Sequence, residues 1–222
     1  MCGRYSLVVD GDFGKRFRVH IPAMGLRSRF NVVPGQVMPV ICGAGERRCT
    51  AMTWGFVPVS ARDDAHPRRL INARAETVAK LPSFRRAFIG CRCIVPASGF
   101  FEWKAEGRRR IPFYYRLRNE NLFGFAGVYS VLPGEDGAAR RTYTIITTPA
   151  NSLVSAVHDR MPAILRRTDE ERWLSGMADV LPLDEILAPC PSDRMEGYPV
   201  SERINDPGHE DEDLIRPLCG LL

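Results

Sequence analysis

The sequence holds no CxxC pair, although it carries seven cysteines: Cys2, Cys42, Cys49, Cys91, Cys93, Cys190 and Cys219. An odd number of thiols without close pairs excludes a disulfide framework as the device that holds the fold. The missing ligand pairs also argue against zinc, so no metal and no cofactor is expected. Cys91 and Cys93 stand two apart, which puts both on one face of a strand and into a core. No leader of the secretory kind, basic then apolar then small, opens the chain. The longest mostly apolar run, LFGFAGVYSVL from Leu122, is too short to span a bilayer. A cytoplasmic protein with no membrane partner is predicted. Lysine is nearly missing too: of 31 basic residues only Lys15, Lys80 and Lys104 are not arginine. Arginine's planar fork grips phosphate through paired hydrogen bonds. Genomic codon bias accounts for the same preference equally well. The formal charge is +5, and the acidic segment DPGHEDED near the C-terminus means that the body is more basic than this total. An anionic partner fits that distribution.

There is no internal repeat and no low-complexity linker, and 222 residues with 45% hydrophobic content suit one domain over residues 1–222. Short β-type runs dominate: VMPVICG, RRCTAMTWGFVP, RCIVPASGFFEW, IPFYYRLR, LFGFAGVYSVL and RTYTIITT. AEGRRR and PGEDGA between them read as turns, the first closing a hairpin over residues 104–110. Helices are few and short. TDEERWLSG has Thr168 in the N-cap position with Glu171 three residues on, a capping box, and Gly176 as terminator. PANSLVSAV and LPLDEIL are shorter candidates. Hairpins with interspersed helices predict an α+β fold, a single domain with a curled, mainly antiparallel sheet and short flanking helices. Long helices do not alternate with the strands, which excludes a doubly wound parallel sheet.

Five stretches do not read as core: MCGRYS, RFNVVPGQ, INARAET, SGFFEWK and AVHDRMP. In the first, removal of Met1 would leave Cys2 with a free α-amine and a thiol on adjacent carbons. INARAET sets Asn72, Arg74 and Glu76 on alternate positions. SGFFEWK places Glu102 among Phe100, Phe101 and Trp103, where an unpaired carboxylate is costly. AVHDRMP lines up His158, Asp159 and Arg160. Each has a plain structural reading: Glu102 paired with an arginine, His158 satisfied by neighbours, Asn72 a turn former, Arg74 and Arg160 surface charges. Together they supply a nucleophile, a carboxylate, an imidazole, an amide and arginines, the groups that a site handling an aldehyde beside phosphates needs.

MCGRY, FNVVPGQ, WGFVP, NARAET, RCIVPASGFFEW and HDRMPAIL stand in the order found in the SRAP family, and YPVSERINDP resembles that family's closing segment. The chain thus resembles the SOS-response-associated peptidases, or abasic-site processing proteins. The resemblance implies one α+β domain with a barrel-like antiparallel core. It implies single-stranded DNA containing abasic sites as partner, a monomer associated with the nucleoid when bound, and covalent capture through the processed N-terminal cysteine. Carried over by motif, Cys2 is the reactive residue and Asn72, Glu102 and His158 support it. Arg4, Arg74, Arg160 and Trp103 fall to DNA contact. After WGFVP, where relatives often carry a further tryptophan, this chain has Val59 and Ser60, which weakens the expected aromatic wedge. Two rival readings remain: an N-terminal-nucleophile amidohydrolase of the glutaminase type, which also begins MCG, and a non-enzymatic single-strand binder.

Overall fold

The computed structural model describes residues 2–21, 25–61, 67–134, 137–176 and 182–218. Met1, Cys219 and the middle of the expected PGEDGA turn lie outside them. The apolar runs become strands: β1 (Arg4–Leu7), β2 (Arg29–Val32), β3 (Val37–Cys42), β4 (Arg48–Trp54), β5 (Asn72–Arg74), β6 (Arg92–Ala97), β7 (Gly99–Glu106), β8 (Arg109–Leu117), β9 (Phe123–Pro133), β10 (Ala139–Pro149), β11 (Arg160–Pro162), β12 (Ile164–Leu165) and β13 (Met195–Pro199). The helices are α1 (Phe13–Phe17), α2 (Ala75–Val78), α3 (Pro82–Gly90), α4 (Glu170–Leu174) and α5 (Leu183–Ile186).

Strands β10, β4, β3, β6 and β9 pair in that order, and β9 pairs back to β10, so five strands close into a barrel. Closure leaves its members without a free edge. β5 and β11 add to β10, and β12 adds to β9. The second sheet, β13-β8-β7-β1-β2, is antiparallel throughout. Two pairs in the first sheet, β10 with β4 and β10 with β5, are parallel. The fold is therefore the α+β, barrel-containing single domain that the pattern and the resemblance predict.

β6 has six residues, all buried, because it is covered on both faces. A buried hydroxyl pair, Tyr5 Oη to Tyr143 Oη at 2.7 Å, joins β1 of the second sheet to β10 of the barrel. Alternation along β7 decides where the site lies. Phe100 packs into the main core with Tyr115, whereas Phe101 packs on the other face with Tyr114, Val200, Ile204 and Leu214. Period two then turns Glu102 inward with Phe100, and Trp103 outward with Phe101. Gly99 opens this strand, and a Cβ there would stand 2.2 Å from the Tyr114 ring, so only glycine fits.

The C-terminal segment covers the outer face of the second sheet. Buried Asn31 of RFNVVPGQ ties it down, its Nδ2 donating to the carbonyls of Ile204, Asp206 and His209 at 3.4, 3.0 and 3.0 Å. One local expectation fails. Helix α4 starts at Glu170 behind Asp169, not behind Thr168, and no side chain caps it. Arginines take the carboxylates first: Asp169 bonds Arg166, and Glu171 bonds Arg18 and Arg47. Gly176 does follow the helix end with a φ of 72°.

Candidate active site

The site forms where the start of the chain meets β5, β7 and the loop before β11. β1 pairs with β7 through Arg4 opposite Phe101. Continued by one residue, that antiparallel register brings Gly3 to Glu102. Cys2 is fully buried. Asn72 is held on β5 by its pairing with Ile145 of β10, and its Nδ2 donates to the Cys2 carbonyl at 2.8 Å. The other amide atom, Asn72 Oδ1, is buried with no partner among the described residues.

Glu102 is 3% exposed, and its carboxyl is pushed from 4.5 up to about 7. Burial is the largest cause; the positive N-terminus pulls the other way, and the charge of Asp159 adds to the rise. No arginine is among these influences, which burial leads. The Cys2 thiol is also pushed up, by burial first and by the Glu102 charge second, so it stays protonated near neutral pH.

His158 follows a short 3-10 turn, Val154–Ala156, and its main-chain N–H bonds the Val154 carbonyl at 3.0 Å. Its ring is pulled below the ordinary value, by burial first and by the positive N-terminus second. Two contacts at Nδ1 point in opposite directions. The Arg160 amide donates to it at 3.0 Å, and an Asp159 carboxylate oxygen stands 2.9 Å away. An N–H aimed at the Nδ1 lone pair requires Nδ1 to be unprotonated, and the lowered pKa agrees. We therefore place the single proton on Nε2. The charge of the N-terminus acts on both Glu102 and His158, and Glu102 acts on Cys2, so these groups are electrostatic neighbours.

The arginines differ in what they do. Arg74 is exposed at the end of β5. Arg160, with a side chain 12% exposed, is gripped by both carboxylate oxygens of Glu76 and donates to the Thr147 carbonyl at 2.6 Å. Arg4 points to the outer face of its sheet and donates to Asn31 Oδ1 and the Ile204 carbonyl, each at 2.6 Å, and to the Asn205 carbonyl at 3.3 Å. Trp103 lies on the same outer face and donates to Asn205 Oδ1 at 2.8 Å.

The sequence matches the family described as SOS response associated peptidase (SRAP) over residues 1–207. The chain belongs to the SRAP family. It is 37% identical over 221 residues to the abasic site processing protein YoqW of Bacillus subtilis, covering 97% of this chain and 99% of that one. It is 30% identical over 194 residues to the abasic site processing protein YedK of Escherichia coli, covering 86% and 85%. An X-ray crystal structure of a protein from Bacteroides thetaiotaomicron superposes with a TM-score of 0.88 at 28% identity, covering 98% of this chain and all of that one.

In this SRAP chain the eight site residues read from sequence divide in two. Cys2, Asn72, Glu102 and His158 converge. Arg74 and Arg160 flank them on β5 and β11, both of which pair with β10. Arg4 and Trp103 sit instead across the second sheet, under the C-terminal segment. In the sequence Glu76 is only the third of three alternate positions, and nothing there points to Thr147. β5 ends at Arg74 and helix α2 begins at Ala75, so Glu76 leaves the strand and reaches Arg160 from the helix. The position after Pro58 forms a 3-10 turn over Val59–Ala61, with no aromatic ring.

Proposed function

We propose that this chain binds single-stranded DNA and captures abasic sites covalently through Cys2 after loss of Met1. The observation that carries this reading is the convergence of Asn72, Glu102 and His158 on the start of the chain. The abasic-site names of its relatives point the same way. An open abasic sugar presents an aldehyde. An α-amine, with an ordinary pKa of roughly 7.7–8.0, is partly neutral at physiological pH and attacks it. The carbinolamine loses water to an imine. The thiol of the same residue then adds across the C=N bond, its proton passing to nitrogen, and a five-membered thiazolidine closes. Both nucleophiles belong to one residue, so closure has a high effective molarity.

The side chains have matching roles. His158, neutral with its proton on Nε2, donates to the sugar ring oxygen and favours ring opening. Glu102, whose carboxyl pKa burial raises, gives a proton to the departing hydroxyl and takes one back. Asn72 holds the Cys2 carbonyl through Nδ2, and its unpartnered Oδ1 accepts from the freed amine or the carbinolamine hydroxyl. Arg74 contacts the backbone phosphates, while Arg160, clamped by Glu76, and Arg4 and Trp103, tied to the C-terminal segment, act on the strand by shaping the surface around it. β-Elimination from the imine, an AP-lyase activity, is a secondary outcome of the same chemistry. Met1 leaves through the chain's own peptidase activity or a host aminopeptidase.

Replacing Cys2 tests this scheme. Cys2→Ala keeps an α-amine but no thiol, so borohydride should trap an imine with abasic DNA while no heat-stable adduct forms without it. An amidohydrolase would instead hydrolyse glutamine and lose that activity in Cys2→Ala. A simple binder would yield no covalent product in any form.

A further inference from the structure

Glu76 reaches the site through Arg160. We propose that Glu76 is a positioning residue for His158, fixing through Arg160 which ring nitrogen carries the proton. The proposal rests on the reading of His158 as the group that acts on the sugar.

The contacts form an unbroken path. The Glu76 carboxylate takes both terminal nitrogens of Arg160, Nη2 at 2.9 Å from Oε2. Such a two-point pair fixes the guanidinium plane, which a single contact does not. Glu76 is about half exposed, so the pair adds little to stability by charge alone. Geometry is its stronger effect. Arg160 Nη2 also reaches the Thr147 carbonyl of β10, and β11 starts at Arg160, opposite Pro149. The main chain is held again where the Ala150 N–H donates to the Asp159 carbonyl at 3.0 Å. With both ends of Arg160 anchored, its amide N–H stays on His158 Nδ1.

The alternative state is close by. Asp159 has a side chain 86% exposed and a carboxylate oxygen 2.9 Å from the same Nδ1. If the Arg160 amide drifts, Asp159 becomes the better partner and draws the proton to Nδ1. Nε2 then turns from donor to acceptor, and the sugar oxygen loses its hydrogen bond. The other charged groups that act on the ring, the N-terminus and Arg160 itself, are positive and oppose a fully protonated imidazolium. Glu102 and the ring share two of these influences, the N-terminus and Asp159. The two neutral tautomers are therefore the competing states.

The test compares Glu76→Ala and Glu76→Asp with wild type. Nitrogen-15 NMR of the DNA-free protein reports the His158 tautomer, and single-turnover capture of abasic single-stranded DNA at saturation reports the rate. Glu76→Ala should move the proton to Nδ1 and slow capture by roughly tenfold or more, with affinity for undamaged strand unchanged. Glu76→Asp, which retains a carboxylate, should recover part of both. An unaltered His158 tautomer in Glu76→Ala overturns the proposal, and so does tighter DNA binding with an unchanged saturated rate, which would make Glu76 a competitor of phosphate for Arg160. The NMR measurement needs no DNA, so it decides the positioning role even if wild type captures no abasic site and the functional reading fails.

Discussion

Burial sets the acid–base behaviour of Glu102, and stability should reveal it. Its carboxyl titrates near 4.5 when unfolded and about 7 when folded, so the folded chain binds this proton more tightly. The contribution to stability is complete below the unfolded value and is lost as pH rises through about 7. At about 1.4 kcal/mol per unit, the loss is on the order of 3 kcal/mol. Glu102→Gln removes this dependence, so its thermal midpoint relative to wild type should climb between pH 5 and pH 8. A constant difference across that range would mean that Glu102 is not held protonated. His158 belongs to the same scale. His158→Gln should slow adduct formation while single-strand affinity is unchanged, and rapid-quench kinetics beside equilibrium titration separate the two. The sequence marked both residues as misfits among apolar neighbours. It did not show that the chain's own N-terminus and Asp159 would be the charges acting on Glu102. Those groups are distant in sequence and act on Glu102 only in the folded chain.

Strand register explains both the successes and the misses at the level of elements. The apolar runs and turn residues located β3, β4 and β6 to β10, because period-two burial and glycine-marked turns leave direct traces in sequence. Short β5 and β11 left none, yet they carry Asn72, Arg74 and Arg160. Glu102 and Trp103 are neighbours in sequence and so face opposite sides of β7, which separates the inner constellation from the Arg4–Trp103 pair. Alternation alone could have revealed this. The failed capping box has another cause: competing arginines, whose partners arise only in the tertiary fold. The β7–β8 packing offers its own check. Gly99→Ala drives a methyl group to within 2.2 Å of the buried Tyr114 ring, whose hydroxyl is tied to Ser6 Oγ at 2.8 Å. It should cost about 2 kcal/mol or more in chemical denaturation. Gly90→Ala, at the end of α3 with nothing within 4 Å of the added carbon, should be neutral or mildly stabilising. Equal effects of the two changes would contradict the packing described.

Across the whole molecule, a closed barrel and an antiparallel sheet bring the first residue after Met1 to Asn72 of β5 and Glu102 of β7. The ordered motifs revealed the family and the barrel-containing fold, since both depend on the chain as a whole. The division of the arginines between strand contact and internal clamps was not legible, because it depends on which acceptors the fold delivers. Arg74, exposed beside the site, should make a phosphate contact, so Arg74→Ala should lower single-strand affinity and reduce the salt slope by ~0.7. Arg4→Ala should instead destabilise the fold, because the hydrogen bonds that tie Arg4 to Asn31, Ile204 and Asn205 are lost. An unchanged salt slope in Arg74→Ala would make that residue an ordinary surface charge. The central claim is that the amine and thiol of Cys2 form the covalent bond together. Intact mass spectrometry of the protein mixed with an abasic oligonucleotide, with and without an uncleavable residue ahead of Cys2, tests it most directly. The native chain should lack Met1 and shift by one oligonucleotide less one water, in an adduct that survives heating, while the blocked chain should show no shift. A heat-stable adduct on the blocked chain would contradict the claim and move the nucleophile to an internal side chain.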